Sequence, residues 1–436
     1  MPADIGVDSL VSQSLTVYSG GFALVREERR LPSFPEDGVF RYLGVAPRIE
    51  AESVLVEGAE IRWISYEYDL ADKNKLLEKY IGREVTVADR KTGVIRRLRL
   101  LSAQNGLVLE DTVSGELVVD PEGELRLPKL PGGLAQQPSL VWQALSDGEE
   151  SGLVRVSYLT DGLTWEAEYV MLLPPEAGAE ETFSLTGRMA VTNESGRSFE
   201  EVTLSAVAGS VRRTASGPVP RMAYGAAVQS KGLPEPEAFA DYHLYPVPFK
   251  VTLNEGQTKQ IGLMEAERVH GKIIYEATYR AEKPDVVLVF RNSEENGLGV
   301  PLPEGRVWMY RRAAGGPAEF IGEDRIENTA KDETVRVIAG RAFDITIDSG
   351  LADSKVTGRY VEETYVYEIR NAKQSDVEVL IRHAVHVRDW ELVESNFPAE
   401  RRFDEVRITA EVKAGGTATV LFKIRLDRGA TGGVSG

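Results

Sequence analysis

The sequence predicts an all-β protein: a β-sandwich interrupted by a small barrel of the SH3 or Sm type, then a second, immunoglobulin-like β-sandwich. Three observations carry that expectation. Apolar and polar residues alternate with a period of two through most of the 436 residues, the signature of strands with one buried face. Clusters of Gly, Asn, Asp and Pro interrupt the alternation at short intervals, as turns require. In the first half only the stretch near Asp72 spaces its apolar residues as a helix does, and the second half shows almost no helical pattern.

The alternation is clearest from Val154 to Leu173. Asp161-Gly162 suits a tight two-residue turn with positive φ. Folding back there sets Tyr158 opposite Trp165, Val156 opposite Ala167 and Val154 opposite Tyr169, with Arg155, Ser157, Glu166 and Glu168 on the other face. A slip of one residue would invert that separation, so a hairpin of fixed register is expected.

The first sandwich is assigned to residues 1–69 and 138–280. Leu15 to Tyr18 and Phe22 to Val25 flank the turn Ser19-Gly20-Gly21. Strands follow at Gly38 to Leu43 and Ser53 to Ile64, with Pro32, Pro35 and Pro47 keeping them short or at edges. From Asp72, an N-cap residue, Leu76, Leu77, Tyr80 and Ile81 share a helical face, and Gly82 closes the helix. Five short strands are read next: Glu84 to Ala88, Val94 to Leu101, Leu107 to Glu110, Glu116 to Val119 and Glu124 to Leu127. Helix plus five strands is the pattern of a small barrel, inserted at residues 70–130.

Leu130-Pro131-Gly132-Gly133 leads out of the insertion, and Leu140-Val141-Trp142 re-enters the sandwich. Phe183 to Asn193 and Phe199 to Ala208 are expected to pair across Glu194-Ser195-Gly196-Arg197. Periodicity vanishes over 209–240, which predicts a mobile loop. Tyr242 to Val251 and Thr258 to Leu263 resume around Asn254-Glu255-Gly256.

The second sandwich is assigned to 283–427. Val286 to Phe290 is continuously apolar, and strands follow at Arg306 to Arg311, Val335 to Ile338 and Phe343 to Ile347. Tyr365 to Ile369 and Val377 to Val387 flank Asn371, and Val406 to Val412 and Thr419 to Leu426 flank Ala414-Gly415-Gly416. The Gly-rich tail, 428–436, is expected to fray. Asn193, Asn292 and Asn371 each end a strand before a polar turn, a shared turn habit that asparagine's αL tolerance explains without duplication.

A formal charge of −17 disfavours nucleic acid and anionic lipid as partners, because the phosphate term would be repulsive over most of the surface. The absence of cysteine excludes disulfides, thiolate nucleophiles and cysteine-ligated zinc. No run approaches the roughly eighteen apolar residues that span a bilayer. Met1 to Val17 lacks the basic flank and apolar block of an export signal, which reads as cytoplasmic. An exported protein already relieved of its leader is the alternative.

Candidate chemistry is sparse. His383 and His386 are three apart, so on a strand they face opposite ways and cannot share a metal; His383 is expected to be buried and His386 exposed. Asp241 and His243 can share a face but lack a nucleophile to activate. His270 stands alone. Glu362-Glu363 and Glu323-Asp324 are paired carboxylates, but glycosidases need two carboxyls at a defined separation across a cleft, which adjacency in sequence does not supply. Arg96, Arg97 and Arg99 form the best basic cluster, but no aromatic residue accompanies them as single-stranded RNA binding would require. No phosphate loop, dinucleotide fingerprint or H-E-x-x-H motif is present, so no cofactor or metal is expected.

Several segments nonetheless resemble one family. Val17-Tyr18 with Gly21-Phe22-Ala23-Leu24-Val25-Arg26-Glu27, Tyr66-Glu67-Tyr68-Asp69-Leu70, Leu76-Leu77-Glu78-Lys79-Tyr80, Leu140-Val141-Trp142, Tyr158 to Trp165 and Tyr242-His243-Leu244-Tyr245 are similar to bacterial proteins carrying the domain of unknown function 4139. Glu295 to Pro303, Phe320 to Asp324 and Ala342-Phe343-Asp344 extend the likeness in family order. Some such proteins are called mucoidy-inhibitor-like, so the resemblance implies envelope or exopolysaccharide biology and an all-β fold; it supplies no catalytic residues.

The leading expectation is therefore a noncatalytic binding or assembly protein, with a protein or polysaccharide partner, or self-association through sheet edges. The alternatives are a carboxylate-dependent hydrolase acting on carbohydrate, and RNA binding through the small barrel.

Overall fold

The computed structural model describes residues 2–67, 73–89, 93–104, 106–128, 137–145, 152–175, 180–209, 211, 237–239 and 242–427. Asp241, most of the 209–240 loop and the tail 428–436 lie outside them. The chain is all β, as the alternation predicts. Strands form five sheets, and among the described residues the one α-helix is Lys73–Tyr80. No helix there is long and apolar enough to cross a membrane.

Two large sheets face each other. The seven-strand sheet runs, edge to edge, Glu237–Phe239, Tyr242–Leu253, Phe199–Ala208, Leu10–Tyr18, Phe22–Arg30, Leu153–Asp161, Leu55–Glu57. The ten-strand sheet runs Ala318–Ile326, Gly305–Arg312, Leu163–Leu173, Glu180–Asn193, Gln257–Thr278, Val377–Ala384, Glu405–Val412, Ala399–Arg401, with Asp285–Arg291 and Thr334–Arg341 branching from Gln257–Thr278. A four-strand sheet of Ala3–Ile5, Val39–Leu43, Ser139–Ala144 and Ile61–Glu67 adds Phe40, Tyr42 and Trp142 to the core between them. Each fully buried Val, Leu or Phe there is worth about 2 kcal/mol of transfer free energy.

The predicted hairpin at Gly162 does not form. Leu153–Asp161 pairs with Phe22–Arg30 and Leu55–Glu57, whereas Leu163–Leu173 pairs with Glu180–Asn193 and Gly305–Arg312. The chain crosses between facing sheets at Gly162, whose φ is 85°. A Cβ there would lie 2.5 Å from the Glu194 carbonyl oxygen. The alternation itself is right: Val154, Val156, Tyr158, Trp165, Ala167 and Tyr169 are all buried. They meet across the core from two sheets instead of standing side by side in one. Alternation records which face is buried, and an arch satisfies it as well as a hairpin does.

The same correction applies after Asn193, around Asn254, after Asn371 and around Gly415. In each case the two flanking strands belong to different sheets. By contrast, Leu10–Tyr18 and Phe22–Arg30 do form the predicted hairpin, with Tyr18 opposite Phe22 and Leu15 opposite Val25.

Arch ends bury strand-terminal backbone groups that need partners, and asparagine supplies them. Asn193 and Asn371 have no solvent exposure. Asn193 Nδ2 donates to the carbonyls of Arg197 and Leu253, and Asn371 Nδ2 to those of Ser375, Val412 and Lys413. Their Oδ1 atoms accept from the N–H two residues on, at Ser195 and Lys373. Asn292 is equally buried and ties Val300 to Ala330.

The insertion is a helix followed by five antiparallel strands within a residue or two of those predicted, in the order Leu117–Val119, Val108–Asp111, Ile95–Ser102, Glu84–Ala88, Glu124–Arg126. Leu77, Tyr80, Val85, Val87, Leu98, Leu100 and Leu109 form its own core.

The expected start of a new unit at 283 does not coincide with a change of core. Leu288, Phe290, Val307, Met309, Val335 and Val337 belong to the first core. The second lies between the Val377–Ala384 end of the ten-strand sheet and a four-strand sheet of Ile345–Thr357, Tyr360–Asn371, Thr417–Asp427 and Trp390–Ser395. Gln257–Thr278, 22 residues long, joins them: Ile261, Leu263 and Val269 pack in the first core, Tyr275 and Ala277 in the second.

Candidate functional site

The structure does not gather the sequence candidates into one site. His243 is half-buried on Tyr242–Leu253, its backbone paired with Ala208 and Ala238, while Asp241 lies outside the described residues. Arg97 and Arg99 stand 3.8 Å from Glu84 and 3.5 Å from Glu110 across exposed strands. Arg96 helps to hold the Asp111 carboxyl low, behind the N–H groups of Val113 and Ser114. Glu362 is bound by Arg425 at 2.7 Å, and Asp324 accepts the Ile338 N–H at 2.6 Å. His270 is exposed, 3.0 Å from the Thr182 hydroxyl.

His383 is buried and His386 exposed. The His383 Nδ1 shares a 2.8 Å hydrogen bond with the Tyr367 hydroxyl. Tyr279, Tyr365 and Phe422 surround the imidazole, their ring centroids 5.0, 4.1 and 5.1 Å away. Burial, with a smaller contribution from His386, pulls its pKa down to about 4. At neutral pH it is an uncharged core group.

The first core buries charge instead. Arg29 and Glu27 have essentially no exposure. The Arg29 guanidinium meets the Glu27 carboxylate at 2.5 Å, donates to the carbonyls of Ile5 and Leu43, and lies over the Tyr42 ring. Arg197 reaches the other Glu27 oxygen at 2.6 Å, and the Tyr42 hydroxyl donates to Glu27 at 2.6 Å. Burial pushes the Glu27 carboxyl up, but Arg197, Arg29 and Tyr42 together hold it below its ordinary value. The set is enclosed and its charges are paired, although among the described residues Arg29 Nε and Glu27 Oε1 make no hydrogen bond, which suits a structural clasp across the sandwich.

Two features face solvent. On Gly305–Arg312, Val307 and Met309 point into the core, so Arg306, Trp308, Tyr310 and Arg312 form a row on the outer face, the two arginines exposed and the two rings half-buried. Arg306 lies 5.6 Å from the Trp308 ring centroid. Phe320, 55% exposed, sits beside Tyr310 with ring centroids 5.8 Å apart. The second feature is a cleft of about 490 Å³ at the turn that leaves Gln257–Thr278. Its lining includes Tyr279, Arg280, Glu282, Lys283 and Arg341.

Comparison with known proteins adds no identity. No family model matches the chain, and no curated protein matches it.

Sequence reasoning passed over both solvent-facing features. The row has a visible signal, since Arg-x-Trp-x-Tyr-x-Arg is a period-two pattern whose intervening Val307 and Met309 mark the other residues as outward. The cleft has none, because Arg341 reaches it from about sixty residues away along the chain.

Proposed function

We propose that the chain is a noncatalytic binding or assembly protein that holds a macromolecular partner against the outer face of its ten-strand sheet. The row Arg306, Trp308, Tyr310 and Arg312, with Phe320 alongside, carries this reading. Trp, Tyr and Arg dominate binding energy at protein interfaces, and exposed apolar surface with a polar rim is where partners dock. Two arginines in an otherwise acidic chain favour a partner with carboxylates to offer.

The resemblance to mucoidy-inhibitor-like proteins supports an envelope setting, and ring faces along a strand would also accept an extended polysaccharide. The helix and five-strand insertion is read as a small barrel related to SH3 and Sm folds, and the C-terminal sandwich as immunoglobulin-like. The hydrolase alternative is weakened by Glu362 and Asp324, which are engaged by Arg425 and a backbone N–H. RNA binding is weakened by the carboxylates beside Arg97 and Arg99.

A photo-crosslinking residue at position 310, expressed in native cells, should capture a defined partner. Trp308→Ser and Phe320→Ser should cut its yield severalfold while the circular dichroism of the chain is unchanged. Equal capture by the folded variants, or turnover in a hydrolase screen that is lost on changing one carboxylate, would overturn the proposal.

A further inference from the structure

The cleft beyond Thr278 concentrates positive charge where the chain as a whole is acidic. Three of its lining side chains are cations, Arg280, Lys283 and Arg341, against the single carboxylate of Glu282. Arg341 has a distant partner, Asp285 at 3.6 Å, on an exposed strand. Among the described residues neither Arg280 nor Lys283 has a carboxylate within ion-pair distance. Arg280 lies over the Tyr279 ring, 5.2 Å from its centroid, and Lys283 over Phe343 at 4.6 Å. The Arg280 contact is cation–ring and leaves its N–H donors available, while Lys283 Nζ also makes a long 3.5 Å hydrogen bond to the Phe343 carbonyl and keeps its other donors.

The backbone fixes this arrangement. Arg280 adopts φ 65°, a conformation normally left to glycine or asparagine. Its N–H donates to the Ser349 hydroxyl at 2.8 Å, which ties the turn to the strand Ile345–Thr357. The Glu282 carbonyl accepts from the Ile347 N–H at 2.9 Å. One guanidinium and an ammonium are therefore presented from a turn clamped at both sides, and Arg341 adds the second guanidinium from the end of the strand Thr334–Arg341.

We propose that this cleft binds a small phosphorylated molecule. Guanidinium groups match phosphate oxygens in paired fashion, and an ammonium adds a mobile point charge. About 490 Å³ is within the range of small-ligand sites. The aromatic wall of Tyr279 would receive the less polar part of such a molecule. The site is separate from the outer-face row, so its failure leaves the partner proposal standing, and the reverse also holds.

The test titrates inorganic phosphate and glucose 1-phosphate into the full chain at low salt, read by 31P line broadening and calorimetry. Saturable binding with Kd at or below about 1 mM is expected. Arg280→Asn with Arg341→Gln should weaken it by about tenfold or more, roughly the effect of losing a charged hydrogen-bond pair. Asparagine tolerates the positive φ, and Lys283→Met provides a second variant that leaves the turn intact. Arg126→Gln, an exposed arginine outside both the cleft and the outer-face row, should bind as wild type does. Vesicles containing phosphatidate identify the source: retention on them that the double variant abolishes assigns a lipid headgroup, and no retention assigns a soluble ester. Absence of saturable binding to any of these phosphates, or binding that the cleft variants leave unchanged, would overturn the proposal.

Discussion

The two largest cores among the described residues solve the burial of polar groups in opposite ways. Between the two large sheets, Arg29 and Arg197 stay ionised and share the single carboxylate of Glu27. Between the C-terminal sheets, His383 stays neutral among rings with one hydroxyl to bond. A buried ion set gains stability only while every member is present, because removing one strands the others. A neutral imidazole has no such dependence, but it must remain unprotonated. The first core is thus vulnerable to substitution and the second to mild acid.

The largest expected effect breaks the first arrangement. Arg29→Met removes the donor to Glu27 and to the carbonyls of Ile5 and Leu43, and should cost about 3–5 kcal/mol. Amide exchange at Val156 and Tyr158 would accelerate accordingly. A loss below about 1 kcal/mol would mean that the clasp contributes little beyond shape.

The second core is tested by pH. The folded His383 pKa of about 4 lies below its ordinary 6.5, so between those values the unfolded chain binds the extra proton. Stability is complete above about 6.5, falls as pH drops toward 4, and loses about 3 kcal/mol across that window. Glu27 behaves differently: its carboxyl is held below 4.5, so its contribution persists at pH 5 and is lost only at lower pH. At pH 5 the amides of Val379 and Ile381 should therefore lose protection while those of Val156 and Tyr158 keep theirs. His383→Phe should flatten the second core's response over the same range. Equal acid sensitivity of both cores would remove the contrast.

Where the cores agree is in their arches. Asn193→Ala and Asn371→Ala should each cost about 2 kcal/mol, since buried carbonyls lose their donors. Asn371 serves three carbonyls and Asn193 two, so the larger loss belongs to Asn371. Thermal unfolding of the pair of variants ranks them directly, and the reverse order would argue that the Ser195 hydroxyl, which donates to Asn193 at 2.7 Å, matters more than the carbonyl count.

These asparagines also mark how far the sequence could be read. Side-chain alternation located most strands and placed the five of the insertion within a residue or two, but it passed over Ala318–Ile326, Trp390–Ser395 and most of Gln257–Thr278. The buried His383 and exposed His386 followed from the same period. Alternation could not show which strands pair, because Val156 and Ala167 are buried whether their strands lie in one sheet or in two. The ion clasp was equally hidden: Glu27 and Arg29 sit two apart on one strand, but Tyr42 and Arg197 reach them only through the fold. Local spacing shows faces, and contacts between distant segments wait for topology.

The smallest expected effect tests whether burial is what separates strong charge pairs from weak ones. Arg97 and Arg99 face Glu84 and Glu110 across solvent, at 3.8 and 3.5 Å, where water and salt screen the attraction and mobile side chains lose entropy on pairing. Arg97→Ala with Arg99→Ala should leave the denaturation midpoint within error, although the strand face and the carboxylate partners are of the kinds found in the clasp. The same double variant, with Arg96→Ala added, should not change retention on an RNA column at low salt, because the neighbouring carboxylates already cancel the field that would attract phosphate. A marked loss of stability would place these exposed pairs in the same class as Arg29 and Glu27, and a steep salt-dependent loss of retention would restore the insertion as a nucleic-acid surface.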